Sequence, residues 1–154
     1  MGPPGTGGSE KETLVGFLDY LREGVARKAE GAPEPGVRTA GVSSGTSVLG
    51  LVKHLTAVER YYFLGADVRS WPATMRPGAK DTVESVVAGY REAVREANEV
   101  IAGYDDLTAA APPIARNGSV STMRWLLVHM IEETGRHAGH ADILREQIDG
   151  AVGR

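Results

Sequence analysis

The eight prolines of this 154-residue sequence fall into pairs that are separated by long proline-free segments. The pairs are, in chain order, Pro3 and Pro4, Pro33 and Pro35, Pro72 and Pro77, and Pro112 and Pro113. Proline lacks a backbone N–H and clashes with the preceding helical turn, so it interrupts helices rather than lying inside them. Each of the four segments that follow these pairs or lie between them has room for a helix of about 20 residues, or ~30 Å. The spacing therefore predicts an all-α fold, specifically a four-helix bundle.

Apolar residues within these segments recur every three or four positions, which is the spacing of an amphipathic helix. The first segment carries Leu14, Leu18 and Leu21 at this spacing, after a Ser9–Glu12 pair typical of a capping box. The second helix is predicted to follow Ser43–Ser47, the third to start near Asp81 with Glu84 three residues later, and the fourth to begin around Ser119 or Ser121. The fourth helix is predicted to continue to about Ile148.

The three connections between the helices, over residues 31–45, 66–79 and 104–118, are long for a bundle. Loops of this length often cross a bundle or cover a site, so we predict long crossover connections. Residues 1–8 are predicted to form a flexible N-terminal tail, and residues 9–154 a single domain. Within the tail, Gly2–Gly7 is similar to the start of a phosphate-binding loop, but Gly8 stands where that motif requires lysine.

Composition and charge exclude several classes of function. The sequence contains no cysteine, which removes disulfides, thiolate zinc sites and cysteine nucleophiles. Its formal net charge of −3 gives no electrostatic footprint for nucleic acid. A membrane span would need a run of about 18 apolar residues, which is absent, and residues 1–9 lack the features of a signal peptide. We therefore predict a cytoplasmic protein with neither nucleic-acid nor membrane partners.

Three of the four histidines lie in the last segment, on one face of its predicted helix. The residues spaced by three or four along that face are Leu126, His129, Glu133, His137, His140, Leu144 and Ile148. This stripe is apolar at both ends and polar in the middle, and its leucines predict that it faces the bundle interior. An unpaired charge is costly there, so the carboxylate and the imidazoles need a compensating partner.

A single divalent metal ion is the partner that this spacing favours. Glu133 and His137 lie one helical turn apart, with Cβ atoms ~5–6 Å from each other, and His54 lies on an apolar stripe of the second helix that also points inward. Two imidazoles and one carboxylate leave coordination positions open, which is typical of a catalytic site, and these ligands suit zinc or nickel. The alternative is a solvated Glu133–His137 pair beside a histidine that is satisfied within the core.

Other metal architectures do not match the sequence. A zincin requires H-E-x-x-H, which the stretch from His129 to Glu133 does not supply. A ferritin-like di-iron centre requires Glu-x-x-His on two helices, but Thr134 stands three residues before His137. A mononuclear site remains.

Two stretches of the sequence resemble the DinB-like superfamily. GTSVLGLVKHL at residues 45–55 is similar to its second helix, and HMIEETGRHAGHAD at residues 129–142 to its fourth. The resemblance implies a four-helix bundle with crossover connections that holds one divalent metal through His54, Glu133 and His137. Many members carry histidine at the position of Glu133, and the glutamate form resembles the branch of mycothiol-dependent maleylpyruvate isomerases.

The resemblance also implies thiol chemistry, because some members transfer mycothiol or bacillithiol to electrophiles. A thiol with a pKa of about 8.5 is mostly protonated at neutral pH, and a divalent metal deprotonates it. The thiolate would then attack an electrophilic carbon of a small molecule. His129 and His140 are the predicted catalytic residues, orienting a ligand or moving the proton; packing or support of the metal ligands explains them equally well.

Three functions follow from the resemblance. We expect a thiol S-transferase that uses zinc, or alternatively nickel, with mycothiol as co-substrate. Arginine outnumbers lysine, a bias typical of the GC-rich actinobacteria whose usual thiol is mycothiol. A maleylpyruvate-isomerase-like enzyme is less favoured, because those isomerases carry a further C-terminal domain. A non-catalytic, stress-related bundle that binds a metal or small ligand is the third.

Tyr61, Phe63 and Trp71 would support a homodimer if exposed, and core packing explains them equally well.

Overall fold

The computed structural model describes residues 3, 5 and 7–153, and the regular secondary structure of that part of the chain is helical. Its α-helices are α1 (Glu10–Glu30), α2 (Val48–Leu64), the short α3 (Trp71–Thr74), α4 (Val83–Ala102) and α5 (Met123–Asp149). The four long helices form the predicted bundle, which confirms the all-α class. The predicted tail and the Gly2–Gly7 stretch include residues 1, 2, 4 and 6, and at those positions these predictions lie outside the described residues.

The helices pack as two pairs, α1 with α5 and α2 with α4. The α1–α5 pair is parallel, because Arg124 pairs with Glu10 where both helices begin and Lys28 lies 3.0 Å from Asp142 near their ends. α4 runs the opposite way, since Lys11 near the start of α1 donates to the Tyr104 carbonyl just beyond α4. α2 runs parallel to α4, because Lys53 near the start of α2 pairs with Asp81 just before α4. The connection 65–82 therefore runs back along the length of the bundle, while 31–47 and 103–122 pass from one pair of helices to the other at its ends, which agrees with the predicted long crossover connections.

Polar caps set the first residue of each long helix. Ser9 and Glu12 form the predicted capping box of α1, and Ser47 caps α2. α4 is capped by Thr82, whose partner in the capping box is Ser85. The helix therefore begins close to the predicted position near Asp81, but its capping pair is Thr82 with Ser85 rather than Asp81 with Glu84.

The start of α5 also differs from the prediction. Its N-cap is Thr122, rather than Ser119 or Ser121. Residues just before the helix pair back on the preceding chain, through isolated bridges of Thr122 with Ala110 and of Ser119 with Pro113. Because this extended pairing occupies residues 119–122, the helix cannot begin earlier.

The buried core consists of two apolar clusters separated by a polar layer. Leu18, Phe63 and Met130 belong to one cluster, and the other includes Val25, Leu51, Leu55 and Ala141. Between them, the fully buried Arg22 donates through Nε and Nη2 to both oxygens of Glu59, each at 2.7 Å. Its Nη1 donates to Asn98 at 2.8 Å and to Asp19 at 2.9 Å. Burial raises the pKa of Glu59, while Arg22 opposes that shift.

None of the described helices is long and apolar enough to cross a lipid bilayer.

Candidate metal centre

The antiparallel packing of α2 against α5 places His54 opposite the middle of α5. The buried stripe of α5 differs from the prediction there, since it passes through Met130, Thr134 and Ala141. Glu133 and His137 lie on the edge of that stripe and are largely but not completely buried, with 16% and 12% of their side chains exposed. Their position on the edge keeps the polar atoms open to solvent on one side, which an interior stripe would not do.

His54, Glu133 and His137 meet at a single carboxylate oxygen. The Oε1 atom of Glu133 lies 3.1 Å from Nε2 of His137 and 3.4 Å from Nε2 of His54. All three ligand atoms lie within 4.8 Å of one another. Arg136 pairs with Glu132, and its guanidinium is 4.0 Å from the other oxygen of Glu133. The three residues predicted as metal ligands are therefore brought together.

These distances suit a divalent ion. Bonds of about 2.1 Å in a tetrahedral arrangement separate ligand atoms by roughly 3.4 Å. Both imidazole nitrogens face the same oxygen, so each contact takes either a proton carried by the nitrogen or a metal ion between the lone pairs. Two nitrogens and one oxygen are a common donor set for zinc and also suit nickel.

Thr74 determines which nitrogen His54 presents to this cluster. The Thr74 hydroxyl donates to the Trp71 carbonyl at 2.6 Å, so its oxygen is left to accept a hydrogen bond. Nδ1 of His54 lies 2.7 Å from that oxygen and must be the donor. In a neutral imidazole, a proton on Nδ1 leaves Nε2 with a lone pair directed at the cluster, as a metal ligand requires.

The connection between α2 and α4 carries Thr74 and is held against α2. Lys53, next to His54, donates to Asp81 at 2.7 Å and to the Arg76 carbonyl at 3.2 Å. The hydrogen bond from Lys53 and a second from the Gly78 N–H lower the pKa of Asp81. The ion pair therefore persists in mild acid and keeps Thr74 in reach of His54.

His140 lies beside the cluster on its solvent side. It is exposed, and its Nδ1 atom is 3.3 Å from Nδ1 of His137. Burial lowers the pKa of His137, with His54 adding to the shift and Glu133 opposing it. The His137 imidazole is consequently neutral near pH 7, which is the form that binds a metal.

His129 lies away from the three clustered residues. Its ring stacks on Trp125 with the centroids 5.0 Å apart and meets the edge of Tyr62, also at 5.0 Å. Its Nδ1 is 3.7 Å from Glu132, and 26% of its side chain is exposed. The single polar face predicted for the histidines is thus divided, with His140 beside His137 and His129 among aromatic rings.

Sequence reasoning missed Thr74 and Trp71, which α3 brings to His54. A local signal was present, because Ser70 caps α3 and Pro72 stands in its first turn, where proline is tolerated. The aromatic residues first considered for a homodimer are also explained here. Phe63 is buried in the core, which agrees with the core-packing alternative, and Tyr61 packs against Trp71 at 5.2 Å.

The sequence matches the model of a known protein family. A family model described as Mycothiol-S-transferase (MST) matches residues 13–150, a range that contains the bundle from early α1 through α5. A search of curated proteins finds no match. The match confirms the resemblance to DinB-like thiol transferases and extends over nearly the whole sequence. The chain belongs to the mycothiol S-transferase family.

Proposed function

We propose that this protein is a divalent-metal-dependent S-transferase that joins mycothiol to an electrophilic small molecule. The observation that carries the proposal is the meeting of two imidazole nitrogens and one carboxylate oxygen at a site open to solvent. Family membership supports the thiol, and the donor set supports the metal. We propose His54, Glu133 and His137 as its ligands, and zinc as the ion, with nickel as the alternative.

A metal held by these residues would act as a Lewis acid that lowers the pKa of the thiol at neutral pH. In the overall reaction the S–H bond breaks and a C–S bond forms to the electrophile. The leaving group departs from that carbon with its bonding pair, and the thiol proton passes to water. The sulfur must come from the co-substrate, because the sequence contains no cysteine.

The residues around the ligands have separate roles in this proposal. Thr74 holds His54 with Nε2 directed at the site, and the Glu133 carboxylate compensates the charge of the ion. His140 lies between His137 and solvent, so we propose that it accepts the thiol proton and returns it to water. His129 is proposed to orient the second substrate, since its ring lies among aromatic side chains.

The direct test compares Glu133→Gln with Glu146→Gln after removal and replacement of metal. Both variants exchange a carboxylate for an amide on α5, but Glu146 is exposed and lies more than three turns away. We expect zinc to restore consumption of mycothiol and a monochlorobimane substrate in the wild type and in Glu146→Gln. Glu133→Gln should lose at least about a hundredfold in activity, since a metal ligand is removed.

A different result would favour the alternative function. If zinc or nickel raised the melting temperature of the wild type while no thiol was consumed, the protein would be a metal-binding bundle without turnover. If the protein isomerised maleylpyruvate, it would instead be a maleylpyruvate-isomerase-like enzyme. Elemental analysis of gently purified protein distinguishes zinc from nickel.

The homodimer and the cytoplasmic location stay predictions.

A further inference from the structure

A continuous row of aromatic rings leads away from the candidate metal centre. We call it the aromatic strip, and its members are Trp71, Tyr61, Tyr62, His129 and Trp125. It begins at His54, whose ring centroid lies 5.8 Å from that of Trp71. Successive centroids along the strip are 5.2 Å apart between Trp71 and Tyr61 and 5.0 Å apart at each later step. The strip thus connects a proposed metal ligand on α2 to the first turn of α5.

Core packing does not explain the two ends of the strip. The chain contains two tryptophans, and these are Trp71 at one end and Trp125 at the other. They remain 38% and 44% exposed, whereas Phe63 and Tyr90 are buried. Trp125 stacks on His129 with 17° between the ring planes, whereas Trp71 meets Tyr61 edge to face with 78° between them. Large aromatic faces left open beside a polar site are typical of small-molecule binding.

Building on the proposed function, we propose that the aromatic strip binds the second substrate, and that this substrate is a planar, apolar electrophile. Stacking on ring faces selects flat molecules and demands few hydrogen bonds. The strip starts at His54, so a planar group that rests on Trp71 lies beside the candidate metal centre. A sugar-bearing thiol such as mycothiol instead requires several convergent hydrogen-bonding groups, which a row of stacked and edge-on rings does not supply.

Trp71 offers the direct test, because its ring is the member of the strip beside His54, and a substitution keeps the backbone carbonyl that accepts from Thr74. The matched control is Ile143→Ala, which also removes an exposed apolar side chain but lies outside the strip. Binding is measured first, on protein without metal or thiol, by the fluorescence anisotropy of a bimane that lacks the reactive halogen. We expect Trp71→Ala to weaken this binding roughly fivefold to tenfold, while Trp71→Phe and Ile143→Ala retain it.

Steady-state kinetics then assign the strip to one substrate. For monochlorobimane we expect a rise in KM of the same size in Trp71→Ala, with the KM for mycothiol unchanged and no change for a small acyclic electrophile such as chloroacetamide. Equal binding of the bimane by the wild type and Trp71→Ala would overturn the inference, and so would a rise in the KM for mycothiol alone. Because the anisotropy needs no turnover, its outcome stands even if the proposed transferase activity is absent.

Discussion

The Thr74 hydroxyl donates its proton to the Trp71 carbonyl, so it can only accept from His54. Thr74→Val keeps the size of the side chain and removes this acceptor, so Nδ1 of His54 loses the partner that keeps it protonated. We expect the affinity for zinc to fall about tenfold to a hundredfold, the usual effect of losing a group that orients a ligand. Competition with a chromogenic zinc chelator measures the change.

Thr74→Ser is the control, since serine retains the hydroxyl and should bind zinc nearly as well as the wild type. The ¹⁵N chemical shifts of the His54 ring in the metal-free protein provide a second readout, because they report which nitrogen carries the proton. Wild-type zinc affinity in Thr74→Val, together with an unchanged ring spectrum, would contradict the proposed positioning role.

The residues of the candidate centre differ in how far sequence alone could identify them. Glu133 and His137 could be paired because helix geometry places positions four apart side by side. His54 followed from an inward-facing stripe on another helix. Thr74 could not be foreseen, because its approach to His54 depends on the path of the α2–α4 connection. That path is set by contacts distant in sequence, such as Lys53 with Asp81.

At the scale of elements, α2 and the α2–α4 connection meet so closely at Gly50 that a side chain does not fit. A Cβ atom at Gly50 would lie 2.1 Å from the backbone oxygen of Met75, which follows Thr74. Gly50→Ala should therefore displace the connection, lower the free energy of unfolding by about 1–3 kcal/mol, and weaken zinc binding. Urea denaturation, with the transition midpoints compared at constant slope, measures the change in stability.

Gly89→Ala is the matched control within α4. A Cβ atom there meets nothing within 4 Å, so only the helix propensity changes. This variant should gain about 0.5–1 kcal/mol in the free energy of unfolding and bind zinc normally. If Gly50→Ala were as stable as Gly89→Ala, the contact with Met75 would not constrain the connection.

The long helices could be predicted because proline placement and apolar spacing are properties of each segment alone. Their first residues were harder to predict where several polar residues compete for one cap. Asp81, Thr82, Ser119, Ser121 and Thr122 all have side chains that can accept from a helix N-terminus. Asp81 is engaged instead by Lys53 and the Gly78 N–H, which leaves Thr82 to cap α4. Which residue caps a helix therefore depends on tertiary contacts and cannot be predicted from the local sequence.

At the scale of the whole molecule, the polar layer that divides the core joins helices from both pairs. Arg22 on α1 reaches Glu59 on α2 and Asn98 on α4, so one guanidinium links three of the four long helices. On α5, Thr134 interrupts the apolar stripe between Met130 and Ala141, beside Glu133 and His137. Arg22 and Glu59 are 37 positions apart, and no local pattern indicates that they pair.

The buried pair makes stability depend on both partners together. Glu59→Leu leaves Arg22 buried, with Asp19 and Asn98 as its remaining partners, and should lower the free energy of unfolding by about 3–5 kcal/mol. The double variant Arg22→Met with Glu59→Leu buries no such charge, because an apolar pair of similar volume replaces the ion pair. Its free energy of unfolding in urea should return to within about 1–2 kcal/mol of the wild type.

The exposed pair of Arg95 with Glu92 on α4 provides the comparison, with both side chains more than half exposed. Glu92→Leu should leave the unfolding transition unchanged within error, because solvent already screens that pair. If the double variant at Arg22 and Glu59 were less stable than Glu59→Leu alone, the pair would not be coupled as the layer requires. If Glu59→Leu lowered the free energy of unfolding no more than Glu92→Leu does, water would reach Arg22, and the two apolar clusters would not be sealed around it.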